Sequence, residues 1–223
     1  ALQAMPARDW IIYSEGMGKL FTGNIERAYL MLQTYGVNVL LFDYPSMRSD
    51  LGILKNFRYS LNNSKQASGQ YSRLLSALQD EKNQGNMGHG QISVFLHSMG
   101  NLMLQEAARR DDPAAVQNTS FADNLILNAA CVPQKRHAQW LQRIALAQRI
   151  YVHYNRADYK LNGASFLTGN RKLGAKPRGP FDERVQYIDF HDAIGKTHNY
   201  FLWIPGRENP LTEPIRQHYQ TVL

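Results

Sequence analysis

Short apolar segments alternate with helical patterns along this chain, and that alternation restricts the possible folds more than any other feature of the sequence. The segments with the length and apolar content of buried strands are residues 10–13, 37–42, 92–96, 125–127, 149–154 and 185–190. Helical spacing of apolar residues occurs at residues 24–33, 67–78, 101–109, 138–147 and 212–223. Strands that alternate with helices pair in parallel and are covered on both faces. We therefore predict an α/β fold with a mostly parallel central sheet, helices on both faces and no large lid.

The sequence predicts the structure of the connecting segments less strongly than that of the strands and helices. Residues 46–63 are predicted to form an irregular connection, and residues 159–181 a loop that frames the entrance to a site. Thr212 is expected to cap the closing helix, with Pro214 in its first turn. The length of 223 residues suits one α/β domain, so a single domain over residues 1–223 is expected.

Cysteine content and hydropathy exclude several classes of protein. Because Cys131 is the only cysteine, no intrachain disulfide can form, and a lone cysteine does not indicate a zinc site. No apolar run approaches the roughly 20 residues that span a bilayer, so no transmembrane segment is expected. The chain starts at Ala1 rather than at Met, which favours an exported or periplasmic mature chain over a cytoplasmic one.

The net charge of +7 raises the question of an anionic partner. Basic residues cluster modestly at Arg171, Lys172, Lys176 and Arg178. This cluster lacks the interleaved aromatic residues and the motifs of nucleic-acid-binding proteins. We interpret it as a solvated basic loop and expect no nucleic-acid partner.

Polar residues follow most of the predicted strands. In sheets of this type a ligand binds beyond the carboxyl ends of the strands. Those ends carry Glu15–Gly18, Asp43–Ser46, His97–Gly100, Asn155–Asp158 and His191. The candidate polar groups are therefore expected to converge on one edge of the sheet.

The segment Leu96-His97-Ser98-Met99-Gly100 has the context of a nucleophilic serine. Such a serine needs a base and an exposed position, which a sharp turn between a strand and a helix provides. The usual pattern is Gly-x-Ser-x-Gly, and here Leu96 replaces the first glycine. An apolar strand precedes Ser98 and a predicted helix follows it, so we interpret Ser98 as the nucleophile. The alternative is a serine that caps the following helix.

An acid and then a base should follow such a serine in the chain. Asp158 lies just past the predicted strand at 149–154, where a carboxylate can orient an imidazole. We interpret Asp158 as this acid. Asp182 and Asp189 are rival acids, and capping of a loop is the alternative role of Asp158.

The base should be a histidine near the end of the chain. His198 lies in a loop after the last predicted strand, and we interpret it as the base. His191 is the alternative, although its position close to the strand end also fits a structural histidine. His97 is not expected to be the base, because adjacent strand residues point to opposite faces.

A tetrahedral intermediate of acyl transfer also needs backbone N–H donors. One donor should be the amide of Met99, at the start of the helix. The other should come from Gly16 or Met17 in the loop after the first strand, where glycine permits close approach of the backbone. Lipases often have His-Gly at this place, whereas this chain has Glu15-Gly16. A glycine-rich turn without a catalytic part is the alternative.

Several of these motifs together resemble a known family. They are residues 92–101 (ISVFLHSMGN), Asn155–Asp158, Arg171–Gly174 and Thr197–Phe201. They resemble a family of bacterial α/β-hydrolases of uncharacterised function within the esterase/lipase superfamily. The resemblance extends from about residue 10 to residue 201, and its most specific part is His-Ser-Met-Gly-Asn with the later His-x-Tyr-Phe. It implies the α/β-hydrolase fold and a triad of Ser98, Asp158 and His198, but no particular substrate.

These observations favour a serine hydrolase that cleaves a small-molecule carboxylic ester through an acyl-enzyme intermediate, without a metal or organic cofactor. An open site without a lid suits small or soluble esters. The alternative is a non-catalytic protein of the same fold that serves in binding or in the cell envelope. That alternative is motivated by Leu96, Glu15 and the basic loop at 171–178.

Overall fold

The computed structural model describes residues 2, 5–112, 115, 121–204 and 211–223, and a parallel sheet lies at its centre. The strands are β1 (Trp10–Ser14), β2 (Asn38–Leu41), β3 (Ile92–His97), β4 (Ala122–Asn128), β5 (Ala147–Tyr154) and β6 (Val185–Asp189). Their order in the sheet is β2-β1-β3-β4-β5-β6, and every pairing is parallel. The predicted α/β fold with a parallel central sheet is confirmed, and each predicted strand is present.

Helices connect the strands and cover the sheet. They are α1 (Phe21–Tyr35), α2 (Ile53–Gln66), α3 (Ser68–Asn83), α4 (Asn101–Arg109), α5 (His137–Leu141), α6 (Tyr159–Thr168), α7 (His191–Ile194) and α8 (Glu213–Val222). Helix α4 packs against α2 and α3, while α1 contacts α8 through the rings of Tyr35 and Tyr219. Thr212 occupies the N-cap position of α8 with proline in the first turn, as predicted, but its side chain makes no capping hydrogen bond. Within the described ranges, no helix is both long and apolar enough to cross a membrane.

The prediction of an irregular connection over residues 46–63 is wrong, because α2 begins at Ile53. The buried residues of α2 are Asn56, Ser60 and Ser64. Phe57 and Leu61 pack against the core but are only partly buried, so the buried apolar stripe by which amphipathic helices are recognised in a sequence is weak here.

Two further predicted boundaries differ from the structure. The segment predicted as a loop at 159–181 begins with a helix, α6, which buries only Leu161 and Ala164. The helix predicted over 138–147 ends at Leu141, and Ala147 already belongs to β5, where it pairs with Ala122 of β4. In both cases pairing and packing with distant segments override the local pattern.

The chain turns sharply between β3 and α4, through a 3₁₀ turn at Ser98–Gly100. Ser98 has a φ of 53°, in the left-handed region that residues other than glycine seldom adopt. Asn101 Nδ2 donates hydrogen bonds to the carbonyl oxygens of Leu96 and Ser98, each at 3.0 Å. The backbone N–H of Cys131 also donates to the Ser98 carbonyl oxygen, at 3.0 Å. Leu96 itself is fully buried in the hydrophobic core, so its bulk is accommodated at this turn.

Gly100 allows the start of α4 to pass directly over the end of β1. A Cβ atom at Gly100 would lie 2.9 Å from the carbonyl oxygen of Ser14 and 3.0 Å from that of Glu15. Both of these atoms belong to the backbone and cannot rotate away. The glycine two residues after Ser98 is therefore required by the crossing of two backbones.

We expect Gly100→Ala to lower the free energy of unfolding by about 1–3 kcal/mol, since overpacking against fixed atoms shifts the backbone. Gly69→Ala in α3 is the matched control, because a Cβ there meets no atom within 4 Å. The control should keep the stability or raise it by up to about 1 kcal/mol. Urea unfolding midpoints measure both effects, and equal midpoints for Gly100→Ala and the parent protein would contradict the close crossing.

Candidate active site

Ser98 lies at the carboxyl edge of the sheet, on the wall of a cavity of about 510 Å³. The walls of this cavity come from the β1–α1 loop, the start of α2, the turn at Ser98, helix α6 and the loop that carries His198. Ser98 is 9% exposed and His198 is 8% exposed. The structure thus places these two predicted site residues in one enclosed space.

Asp158 is fully buried directly after β5 and uses its two carboxylate oxygens for different purposes. Oδ1 accepts a hydrogen bond from the backbone N–H of Leu161 at 3.0 Å and thereby caps α6. Oδ2 lies 2.6 Å from His198 Nδ1 and accepts a hydrogen bond from the Tyr200 hydroxyl at 2.7 Å. Because a carboxylate can only accept, Nδ1 of His198 carries a hydrogen, and in the neutral ring Nε2 keeps its lone pair.

Asn155 joins the loop of Asp158 to the loop of His198. Its side-chain Nδ2 donates to the carbonyl oxygens of Gly195 at 2.8 Å and Thr197 at 3.0 Å. Its Oδ1 accepts from the backbone N–H of Ala157 at 2.9 Å. This buried amide therefore fixes the distance between two loops that are far apart in sequence.

The alternative candidates for the acid and for the base have other partners. Asp182 pairs with Arg184 at 2.8 Å, and Asp189 pairs with Arg156 at 2.9 Å. His191 begins α7, and its backbone N–H donates to Asp189 Oδ1. His191 lies outside the lining of the cavity, whereas His198 forms part of it.

Gly16 brings the β1–α1 loop into direct contact with the turn at Ser98. A Cβ atom at Gly16 would lie 2.6 Å from Ser98 Cβ and 2.7 Å from the backbone nitrogen of Met99. Only glycine leaves enough space for this approach. The Gly16 N–H donates to Glu15 Oε1 at 2.9 Å, whereas Met17 and Met99 line the cavity.

Glu15 is a buried carboxylate beneath this loop, and its sequence context did not indicate the partners of its side chain. Its Oε2 lies 3.0 Å from Arg27 Nε and accepts from the Tyr13 hydroxyl at 2.8 Å. Burial acts to raise the pKa of Glu15, but Arg27, His97 and the hydrogen bonds from Gly16 and Tyr13 outweigh it and lower the pKa to about 2. The carboxylate therefore stays ionised at neutral pH.

His97 also belongs to the site, contrary to what strand alternation suggests. Its ring lies 4.8 Å from that of His198, and both line the cavity. The positive φ at Ser98 interrupts the strand geometry, so two consecutive side chains reach the same space. Burial lowers the pKa of His97 to about 3, although the adjacent Glu15 acts to raise it. His97 is therefore neutral at neutral pH, with its Nδ1 lying 2.8 Å from Asn128 Oδ1.

Residues 1–186 match the model of the family described as alpha/beta hydrolase of unknown function (DUF900). The chain belongs to this family. The motifs around Ser98 and His198 predicted a family of α/β-hydrolases of uncharacterised function. The family match confirms this prediction.

Similar solved structures include two esterases. The esterase Est2 of Thermogutta terrifontis with bound propionate has 14% identity and a TM-score of 0.46, over 97% of this chain and 84% of that one. An esterase of Pyrobaculum calidifontis has 14% identity and a TM-score of 0.41, over 86% and 68%. An uncharacterised protein of Bacillus cereus ATCC 10987 has 10% identity and a TM-score of 0.47, over 96% and 58%. Among curated proteins, no sequence matches this chain.

Two buried groups beside Ser98 predict how stability depends on pH. We expect the free energy of unfolding to fall as the pH drops from 6.5 towards about 3, because His97 binds a proton in the unfolded chain but not in the folded one. Glu15 adds to this loss below pH 4.5, since its folded pKa is about 2. Urea unfolding over a pH series measures the slope.

His97→Gln should flatten this slope between pH 6.5 and 4.5. Some slope should remain, because burial also lowers the pKa of His153. His89→Gln, at an exposed histidine, is the control and should keep the slope of the parent protein. A His97→Gln slope identical to that of the parent would contradict this assignment.

Proposed function

We propose that this protein is a serine hydrolase that cleaves carboxylic esters through an acyl-enzyme intermediate. Ser98 is the nucleophile, His198 the base and then the acid, and Asp158 the residue that orients His198. The observation that carries the proposal is the 2.6 Å contact between His198 Nδ1 and Asp158 Oδ2, beside a serine at a strained turn in the same cavity.

In the first half-reaction, Ser98 Oγ attacks the ester carbonyl carbon and its proton passes to His198 Nε2. The carbonyl oxygen becomes an oxyanion. The bond from carbon to the alcohol oxygen then breaks, and the alcohol leaves with the proton held by His198. The acyl group remains on Ser98.

In the second half-reaction, water attacks the acyl carbon while His198 takes one of its protons. The bond from Ser98 Oγ to the acyl carbon breaks, Ser98 recovers its proton and the carboxylic acid is released. These steps use groups of the chain itself and water. Asp158 stabilises the imidazolium that forms in each half-reaction.

We assign the oxyanion donors to the amides of Met17 and Met99, which flank the point where the loop and the turn meet. Gly16 was the third candidate, but its N–H already donates to the Glu15 carboxylate. The role proposed for Gly16 is to let the Met17 amide approach Ser98.

Tyr200 supports Asp158 as a second donor on Oδ2. Burial and the adjacent Asp158 carboxylate raise the pKa of Tyr200 well above its usual value, so its hydroxyl keeps its hydrogen. A fully buried carboxylate needs several donors to remain stable when ionised. Leu161, His198 and Tyr200 supply them.

Ser98→Ala should abolish both labelling by a fluorophosphonate probe and hydrolysis of a p-nitrophenyl ester, a loss on the order of 10⁴-fold or more in turnover. Ser64→Ala is the control, because Ser64 lies on α2 with its hydroxyl bonded to the Leu61 carbonyl oxygen. The control should be labelled and active. Absence of both labelling and turnover in the parent would favour the non-catalytic binding or cell-envelope protein instead, whereas unchanged turnover in Ser98→Ala would exclude Ser98 as the nucleophile.

Glu15 is proposed as a positioning residue that holds the oxyanion loop through Gly16. Glu15→Gln keeps the size of the side chain but removes the charge that holds it against Arg27, so the oxygen that accepts from the Gly16 N–H is no longer fixed below the loop. We expect kcat to fall by between about tenfold and a hundredfold with little change in KM, because displaced oxyanion donors affect the transition state more than substrate binding.

Labelling of Ser98 by the fluorophosphonate should persist in Glu15→Gln, though more slowly. Glu106→Gln is the control, because Glu106 pairs with Arg110 on α4 and lies outside the cavity. A Glu15→Gln protein that is destabilised but has an unchanged kcat would limit Glu15 to a structural role.

A further inference from the structure

Exposed apolar side chains surround the mouth of the cavity. Ile53 is 77% and Leu54 56% exposed at the start of α2, and Tyr159 is 60% and Leu167 50% exposed on α6. All four line the cavity, and we call them the apolar rim. Clustered exposed apolar residues at a site mark a surface that binds something apolar.

The fold gives no packing reason for the apolar rim on α2. This helix turns small polar residues inward, namely Asn56, Ser60 and Ser64. The Asn56 side chain bonds the backbone of Arg48 and Leu51, which anchors the helix by its polar face. The apolar side chains at its start are consequently left for the cavity and the solvent.

Helix α6, which also lines the cavity, likewise leaves large apolar side chains exposed. It buries only Leu161 and Ala164, while Phe166, next to Leu167 of the rim, is 88% exposed. The two helices that flank the entrance therefore both present large apolar side chains outward. A small ester inside the cavity would leave most of these side chains in water.

The charges at the mouth are positive. Lys19 and Lys160 line it together with the apolar rim. The acidic residue of the lining, Glu15, is 5% exposed and paired with Arg27, so its charge is compensated inside the protein. Apolar side chains that enter the headgroup region, with lysines near the lipid phosphates, match an anionic lipid surface.

We propose that the apolar rim docks on an anionic lipid surface, and that the site takes acyl esters presented there. The second half of this statement rests on the proposed hydrolase function, whereas docking does not. The proposed substrates differ from the small or soluble esters that an open site suggests. The reason is that the rim adds an apolar contact area that a single small ester in the cavity cannot cover, whereas an aggregated lipid can cover the rim and the cavity together.

Docking can be tested without hydrolysis, by cosedimentation of Ser98→Ala protein with vesicles of phosphatidylcholine, with and without phosphatidylglycerol. We expect binding to the anionic vesicles that weakens as salt rises. Leu54→Ser with Leu167→Ser in the same background should weaken it by roughly a hundredfold, from the loss of two inserted apolar side chains. Lys160→Gln should weaken it by about fivefold.

The matched controls lie away from the mouth. Met5 is 45% exposed and lies near the amino edge of the sheet, since the neighbouring Pro6 carbonyl oxygen accepts from Asn38 at the start of β2. Arg8 is exposed at the same edge, two residues before β1 begins. Met5→Ser and Arg8→Gln should bind vesicles as Ser98→Ala alone does.

Three outcomes would overturn the docking proposal. They are no binding to either vesicle, equal losses in rim and control variants, and a dimer in sedimentation equilibrium that Leu54→Ser dissociates while vesicle binding is absent. The last outcome would assign the rim to a second copy of the chain. Vesicle binding with no fluorophosphonate labelling of the parent would instead remove the hydrolase function and keep the docking surface.

Discussion

The close backbone contact around Ser98 is the constraint on which the rest of this structure depends. The left-handed φ of Ser98 is held by hydrogen bonds to its carbonyl oxygen from Asn101 and Cys131. Gly16 and Gly100 remove the side chains that would keep the β1–α1 loop and α4 away from this turn. Strain of this kind persists only where the surroundings over-determine it. It places the serine hydroxyl, the Met99 amide and the β1–α1 loop in one small volume.

Two opposite charges, those of Glu15 and Arg27, lie beside this contact and compensate each other. An ionised Glu15 below the β1–α1 loop would oppose the negative charge that develops on an ester carbonyl oxygen. Arg27 lies against the same carboxylate, at 3.0 Å, and offsets it. His97 remains neutral there and adds no charge beside His198. The carboxylate can therefore hold the backbone of Gly16 while Arg27 compensates its charge.

Some residues of the site have a local signal in the sequence, whereas the environment of others is decided by distant segments. Asp158 had two competing interpretations, a cap and a partner of a histidine, and its two oxygens allow both interactions. His97 was not expected to be the base, and in the structure its ring lies beside that of His198 while its Nδ1 faces Asn128 Oδ1. Helix α2 was missed because its fully buried residues are polar, and distant segments decided the environment of those residues.

The amino-acid sequence alone determined the parallel α/β sheet and the order of Ser98, Asp158 and His198, because strand length, apolar content and turn residues act over a few neighbouring positions. The tertiary structure decided which acid meets which histidine. Asp158 and His198 are separated by 40 positions, and the Asn155 amide that joins their loops has no local signature. The tertiary structure also decided that Glu15 pairs with Arg27 and that the apolar rim surrounds the cavity. Both features follow from the packing of whole helices and strands, and the residue pattern within a single element does not predict them.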